Sequence, residues 1–437
     1  MLCRVGKLAI GLSLVSAQLF AQETSLSASQ KIELLMKLVQ ELQQQVKDLR
    51  TQKNAETADA PAATASKAAT QELAAVPMET KEETASVEFA PQQRQAHRSL
   101  FSSEGIQWRG FGEVNFKALD QHTPELGTFG FVPGSAGGFY TGHFDLLLTS
   151  KINDHFAVLG ELVVGEDDAQ RFDVSMDRLL LNYKMNEHLE LSFGRYPTAT
   201  SYFNRNYHSG KWMLTSTDRP LVVEMADHGG ILPTQAVGVS ATGAISSGKL
   251  GLHYIAEYGS SDTIRPLITG DGEFDENNGN HVSLGLYAAP DWARGLEVGA
   301  AYFHDRISNF SAGPSVRLKQ SITNVYVVYR AHGLELLNEG FIIRHTRELT
   351  GQTDTTPAFY TQIGKELGGR VRPYFRYQYI NADSDAVFSD VGRRHGPAVG
   401  VRWDADAYVA FKIQLDHTLR LAQPALNGVQ AQVAFTF

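Results

Sequence analysis

Residues 106–117 read IQWRGFGEVNFK. Ile106, Trp108, Val114 and Phe116 fall on one parity, Gln107, Arg109, Glu113, Asn115 and Lys117 on the other. Successive strand side chains alternate faces, so this segment is a strand with one greasy and one charged side. A soluble sandwich also alternates, but its strands need not be long enough to cross a bilayer, which takes about 9–11 tilted residues. Downstream the same period-two pattern recurs, and sixteen such stretches can be marked, from 106–119 through 369–380 and 407–418 to 428–437. An even number suits a single-chain bacterial barrel. Short turns follow the even-numbered stretches, and long polar connections follow nearly all the odd-numbered ones, the arrangement expected of periplasmic turns and external loops. The predicted fold is therefore all-β: a 16-stranded antiparallel transmembrane barrel over residues 105–437. Trp108, Tyr183, Tyr258, Tyr302, Tyr377 and Trp403 lie near strand ends on the apolar parity, as interfacial girdles require. The last stretch sends Val429, Ala431, Val433, Phe435 and Phe437 to one face and ends on Phe437, an ending that resembles the C-terminal signature of outer-membrane barrels.

The first hundred residues are of different character. Arg4 and Lys7, an apolar run from Leu8 to Phe20 and the small residues Ala17 and Ala21 have the three parts of a secretory signal, with cleavage expected after Ala21. The only cysteine, Cys3, lies within it, so the exported protein would carry no disulfide framework. Residues 22–51 contain Ile32, Leu35, Val39, Leu42, Val46 and Leu49 at alternating gaps of three and four, the seam of a periplasmic coiled coil. β-branched residues at a and Leu at d favour a dimer in an isolated parallel coil. Residues 52–104 are rich in Ala, Thr, Glu, Gln and Lys and read as a flexible linker.

The chain carries a formal charge of −9, more negative still once Arg4 and Lys7 are removed, so no basic surplus exists to meet nucleic acid. No cofactor motif occurs. The DGEFDENNGN loop, Asp271–Asn280, offers oxygens but lacks EF-hand spacing, and no metal is expected there. The longest connection, residues 197–234, follows the fifth stretch and would be the third external loop, a candidate constriction. It supplies Arg205, His208, Lys211, Asp218, Arg219, Glu224, Asp227 and His228, a mixed-charge set suited to screening solutes. Arg109 and Lys117 in the first stretch, and Arg370, Arg372 and Arg376 on one face of the thirteenth with Arg402 and Lys412 beside them, complete the pore-lining candidates. Such a row would pass an anion from one donor to the next, or else would be neutralised by Glu113, Asp404 and Asp416.

The segment MDRLLLNYKMNEHLELSFGRYPTATSYFN, residues 176–204, together with RVRPYFRYQYI and VGVRWDADAYVAFKIQLD, resembles the phosphate-selective porin family. The resemblance covers most of residues 105–437 and implies a trimeric 16-stranded channel of the outer membrane, passive towards small hydrophilic or anionic solutes. Expected partners are a second and third copy, outer-membrane lipid, the barrel-assembly machinery and the solute. No enzymatic activity is expected. The rival readings are a structural anchor or adhesin reaching out through the coil, and a barrel hydrolase, for which the neighbours His208 and Ser209 are the only hint.

Overall fold

The structure is a computed structural model of the full chain, and it describes residues 105–121, 137–166, 172–207, 210–225, 230–261, 280–308, 317–388, 391–421 and 423–437. The signal peptide, coiled coil and linker, His208, Ser209, Asp227, His228 and most of the 271–280 loop lie outside these residues.

Sixteen strands close into one antiparallel barrel in which each pairs with its sequence neighbours and β1 pairs with β16. They are β1 (Ile106–Leu119), β2 (Gly137–Lys151), β3 (Phe156–Glu166), β4 (Phe172–Asn186), β5 (Leu189–Pro197), β6 (Gln235–Ile245), β7 (Leu252–Ser261) and β8 (His281–Ala288) in the first half. The second half holds β9 (Leu296–Ser308), β10 (Arg317–Ala331), β11 (Leu334–Arg347), β12 (Thr353–Lys365), β13 (Val371–Asn381), β14 (Arg393–Asp404), β15 (Val409–Arg420) and β16 (Gln423–Thr436). Among the described residues no helix is long and apolar enough to cross a membrane. Burial alternates along the strands: in β10 Leu318, Gln320, Ile322, Asn324, Tyr326 and Val328 are buried towards the lumen, while Val325 and Val327 stand exposed on the outer wall. The aromatic residues Trp108, Tyr258, Tyr302 and Trp403 are likewise outward and exposed.

The seam that closes the barrel explains the glycines of the opening stretch. Gly110 donates to the Phe437 carbonyl at 2.9 Å and accepts from its N–H at 3.0 Å, and the register runs from Phe111 opposite Thr436 to Leu119 opposite Gly428. On the outer side the Phe435 and Phe437 rings lie over Gly112 and Gly110, so a Cβ on Gly112 would sit 2.7 Å from the Phe435 ring. The bare backbone is the surface on which the last two aromatics pack.

Two expectations need correction. The last external connection is not long: β15 runs on to Arg420 and β16 begins at Gln423. Pro424, Asn427 and Gly428 look like turn residues, but they are accommodated in the strand. Arg420 donates to the Pro424 carbonyl, Asp120 accepts from the Asn427 N–H at 2.9 Å, and Gly428 faces Leu119. The lumen is also not uniformly polar, because Phe303, Ile307, Ile322, Phe341, Ile343 and Tyr360 on β9–β12 face inward and are almost fully buried.

Gly110→Val is expected to lift the Phe437 ring and loosen the seam, overpacking of this kind costing about 1–3 kcal/mol. The check is the temperature at which the barrel loses its compact migration in cold detergent gels. It should fall for Gly110→Val and recover in Gly110→Val/Phe437→Ala, whose smaller terminal side chain removes the clash.

Candidate functional site: the third connection inside the barrel

The connection between β5 and β6 reads KWMLTSTDRPLVVEM from Lys211 to Met225, unusually apolar for a segment between strands. Trp212, Met213, Leu214, Leu221, Val222 and Val223 are buried, together with Tyr202, Phe203 and Tyr207; Trp212 stacks on Phe111 of β1, with ring centres 6.4 Å apart, while Tyr202 and Phe203 meet Tyr326 and Tyr360 on the apolar inner wall of β9–β12. Each such side chain contributes roughly 1.5–3 kcal/mol when fully removed from water. The segment also bonds to side chains of β2, β7, β9–β11 and β13–β16. A segment that touches strands on all these sides of a closed barrel lies in its lumen.

Irregular backbone in a lumen needs partners, and the wall supplies them with matched polarity. Wall carboxylates and amide oxygens take the N–H groups: Glu339 accepts from Tyr202 and Phe203 at 2.8 Å each, Glu257 from Ala199 at 3.0 Å, Asp145 from Gly210 at 2.7 Å and Gln378 from Leu221 at 3.0 Å. The two amides on Glu339 open the short helix α1 (Tyr202–Asn206), which Ser201 caps through the Asn204 N–H. Wall cations take the carbonyls. Arg402 donates to Trp212 and Leu214, Lys412 to Lys211 at 2.6 Å and Ser216 at 3.0 Å, and Gln432 to Thr217 at 3.0 Å. Gly210 carries φ of 49°, and a Cβ there would meet the Phe111 ring at 2.6 Å, so glycine lets the backbone lie on the wall.

Asp218 is the hub of this seat. Arg376 donates to its carboxylate and, at 3.0 Å, to its carbonyl; Gln414 and Gln430 each donate to the carboxylate at 3.0 Å while also donating to Asp416 at 2.8 Å. Burial opposes ionisation of Asp218, but the Arg376 guanidinium and the two glutamines outweigh it and hold the carboxyl below the usual range. Arg219 is a strut within the segment, donating to the Val223 and Tyr207 carbonyls and to Asn204, with its guanidinium 5.2 Å from the Phe203 ring centre. Arg205 reaches Glu297 at 2.6 Å and the Tyr326 hydroxyl at 3.0 Å, and stacks over Tyr287.

The sequence-selected cations therefore have varied placements. Arg376, Arg402 and Lys412 do face inward, but their donors are engaged in holding the third connection. Arg402 also pairs with Asp404, at 2.7 Å, and Arg372 with Glu366, at 2.7 Å. Arg370 does not belong to the thirteenth strand's face at all: β13 starts at Val371, and Arg370 is exposed in the preceding turn. Lys117 is buried on the inner face of β1, 5.5 Å from the Tyr140 ring centre. Arg109 is exposed near the start of that strand, and Glu224 and Lys211 are half-buried. A second external connection also turns inward. Val387 and Phe388, between β13 and β14, are buried, with Asp385 bound to His345 at 2.8 Å and to Thr356 at 2.9 Å. Burial resists the Asp385 charge, but these bonds keep its carboxyl below its ordinary value. The apolar runs WML and PLVV were the signal that the third connection is interior, and PYFRYQ alone did not reveal which arginine had a partner there.

No family model matches the chain, and no curated protein matches it in sequence. Among solved structures, it is similar to an anion-selective porin from Comamonas acidovorans at 14% identity, over 77% of this chain and 100% of that one, with a TM-score of 0.53. The outer membrane channel DcaP of Acinetobacter baumannii matches at 8% identity over 77% of this chain and 98% of that one, TM-score 0.51. OmpT, an outer membrane protein of Vibrio cholerae in its trimer form, matches at 12% over 76% of this chain and 99% of that one, TM-score 0.51. At such identities the likeness is one of fold, the fold of outer-membrane porins.

Asp218→Asn leaves Arg376 buried beside a neutral group, and breaking one side of such a pair costs about 3–5 kcal/mol. Trypsin should then cleave after Lys211 in the folded barrel, where the parent chain resists; Arg219, which precedes Pro220, is not a trypsin site. The same seat responds to acid. Because the folded-state pKa of Asp218 lies below that of an exposed aspartate, about 3.9, its contribution is complete above that pH and fades as pH falls through the lower folded value. Acrylamide quenching of Trp212, taken by difference from a Trp212→Phe variant, should be weak at pH 5 and rise only below the ordinary carboxylate range.

Proposed function

We propose that this chain is an outer-membrane porin, a passive channel for small hydrophilic solutes or ions rather than an enzyme. The observation that carries the reading is the pairing of a closed 16-stranded wall, apolar outside, with a long connection held in the lumen by the wall's own charged groups. A barrel of this strand number is wide enough for an aqueous route unless something narrows it. The third connection, bonded to β2 and β7 as well as to β9–β11 and β13–β16, narrows it, and solute passes beside this segment. An outer-membrane location is supported by the apolar outer face and by the porin fold of the structural relatives. Assembly as a trimer is our reading from the fold, supported by the trimer form named for the Vibrio cholerae protein.

Charge selectivity is the finer part of the proposal. Anion preference, which the likeness to phosphate-selective porins implies, draws support from Lys412, whose ammonium ends on the Lys211 and Ser216 carbonyl oxygens, and less from Arg402, which also pairs with Asp404. It draws none from a relay along Arg372 and Arg376, whose guanidinium groups are bound to Glu366 and Asp218. An anion handed along that row would have to displace both carboxylates.

In planar bilayers the purified chain should give stepwise conductance, and deletion of residues 211–223 should enlarge each step. In a KCl gradient the reversal potential should have the sign of an anion-preferring pore and should stay within error in Arg372→Ala. A silent bilayer would overturn the channel reading, and a cation-selective potential would overturn its finer part.

A further inference from the structure

The outer wall carries one feature that conduction does not use. On β9, β10 and β11 the outward residues fall into rows set by register: Arg306 opposite Lys319 with Thr346 beyond, then His304, Ser321 and Arg344, then Tyr302, Thr323 and Ile342. Arg317 stands two residues beyond Lys319 on the same face. Arg306, Arg317, Lys319 and Arg344 are all exposed and all outside the barrel. Opposed residues on neighbouring strands have Cβ atoms about 4.5–5.5 Å apart, and like charges so placed repel. Arg306 has a carboxylate partner, Glu348, at 3.5 Å. Among the described residues no carboxylate pairs with Arg317, Lys319 or Arg344.

Height along the wall identifies what faces the patch. β10 has 15 residues, and at about 3.3 Å per residue with a tilt near 40° it rises roughly 35 Å, more than the ~25 Å apolar band of such barrels. Its middle carries the exposed Val325 and Val327, while Arg317 and Lys319 form its end next to the β9–β10 connection, on the side opposite the short turns. The cations thus sit just above the hydrocarbon on the external leaflet, pointing into lipid head groups and not into the pore. Other outward arginines are already engaged: Arg195 binds Gln235, and Arg393 lies 3.8 Å from Asp383.

We infer that Arg306, Arg317, Lys319 and Arg344 form a binding site for a lipid head group bearing more than one phosphate in the external leaflet. Guanidinium forks match phosphate oxygens two at a time, and the ammonium of Lys319 adds a third donor cluster between them. The bound phosphates also remove the repulsion between Arg306 and Lys319, so the site orders the lipid and relieves the wall together. The inference rests on the reading of the chain as an outer-membrane barrel.

The test uses the full chain, purified in neutral detergent, with native mass spectrometry to count bound lipid and bilayer conductance measured on the same samples. The probes are an acylated disaccharide carrying two phosphates, the same lipid dephosphorylated, and inorganic phosphate. The diphosphorylated lipid should bind, the dephosphorylated lipid should not, and inorganic phosphate at equal concentration should not displace it. Lys319→Gln/Arg344→Gln should weaken binding by about tenfold or more, since each lost charged hydrogen bond is worth about 1.5–3 kcal/mol, with conductance unchanged. Equal binding by parent and variant, or displacement by inorganic phosphate, overturns the lipid site while leaving the channel intact. A parent chain that binds lipid as expected but conducts nothing would instead count against the porin reading alone.

Discussion

Every backbone N–H and C=O removed from water needs a partner, and this chain meets the demand in two ways. Along the wall the strands satisfy one another, and closure of β1 onto β16 through Gly110 and Phe437 leaves no edge. In the lumen there is no neighbouring strand for the third connection, so side chains take over. Carboxylates and amide oxygens meet its N–H groups, and arginine, lysine and glutamine meet its carbonyls. In the second half of the barrel Glu339, Arg376, Arg402 and Lys412 together form a negative image of stretches of this one segment's backbone.

This changes what a charged pore lining means. A row of cations on alternate strand positions suggests an ion path when only the wall is considered. Arg376 and Arg402 are instead the largest of the fully buried side chains among the described residues, and their burial comes from the segment they hold. Their influence on a passing ion is then indirect, through the position of the segment and through whatever field remains after pairing. The asymmetry of the lumen has the same origin, since the apolar inner faces of β9–β12 are the counterpart of Tyr202 and Phe203.

The wall was largely legible in the sequence because period two is a strong signal when one face must be greasy, and all sixteen strands lie where the alternation puts them, within a few residues. The start of β16 was not, because Pro424, Asn427 and Gly428 are turn formers by local preference, and a strand end can hold them where the neighbouring strand makes no demand on their N–H groups. The inner face of β9–β12 was not either. Residues such as Phe341 and Ile343 stand on the inward parity of a strand whose outward parity holds Ile342, and a run apolar on both faces carries no sign of which side meets lipid. The residues that seat the third connection were selected for their charge, but a partner distant by 158 residues, as Asp218 is from Arg376, leaves no mark in local spacing.

The most direct measurement is a covalent tether between segment and wall. Thr217 donates to Gln430 of β16 at 3.2 Å, and with the lone Cys3 replaced, Thr217→Cys/Gln430→Cys introduces the only two thiols. If the third connection is seated as described, the pair oxidises to an intramolecular disulfide in the folded barrel under mild oxidant, and neither single variant does. Two thiols that both react freely with a bulky maleimide under the same conditions would mean that the segment lies elsewhere.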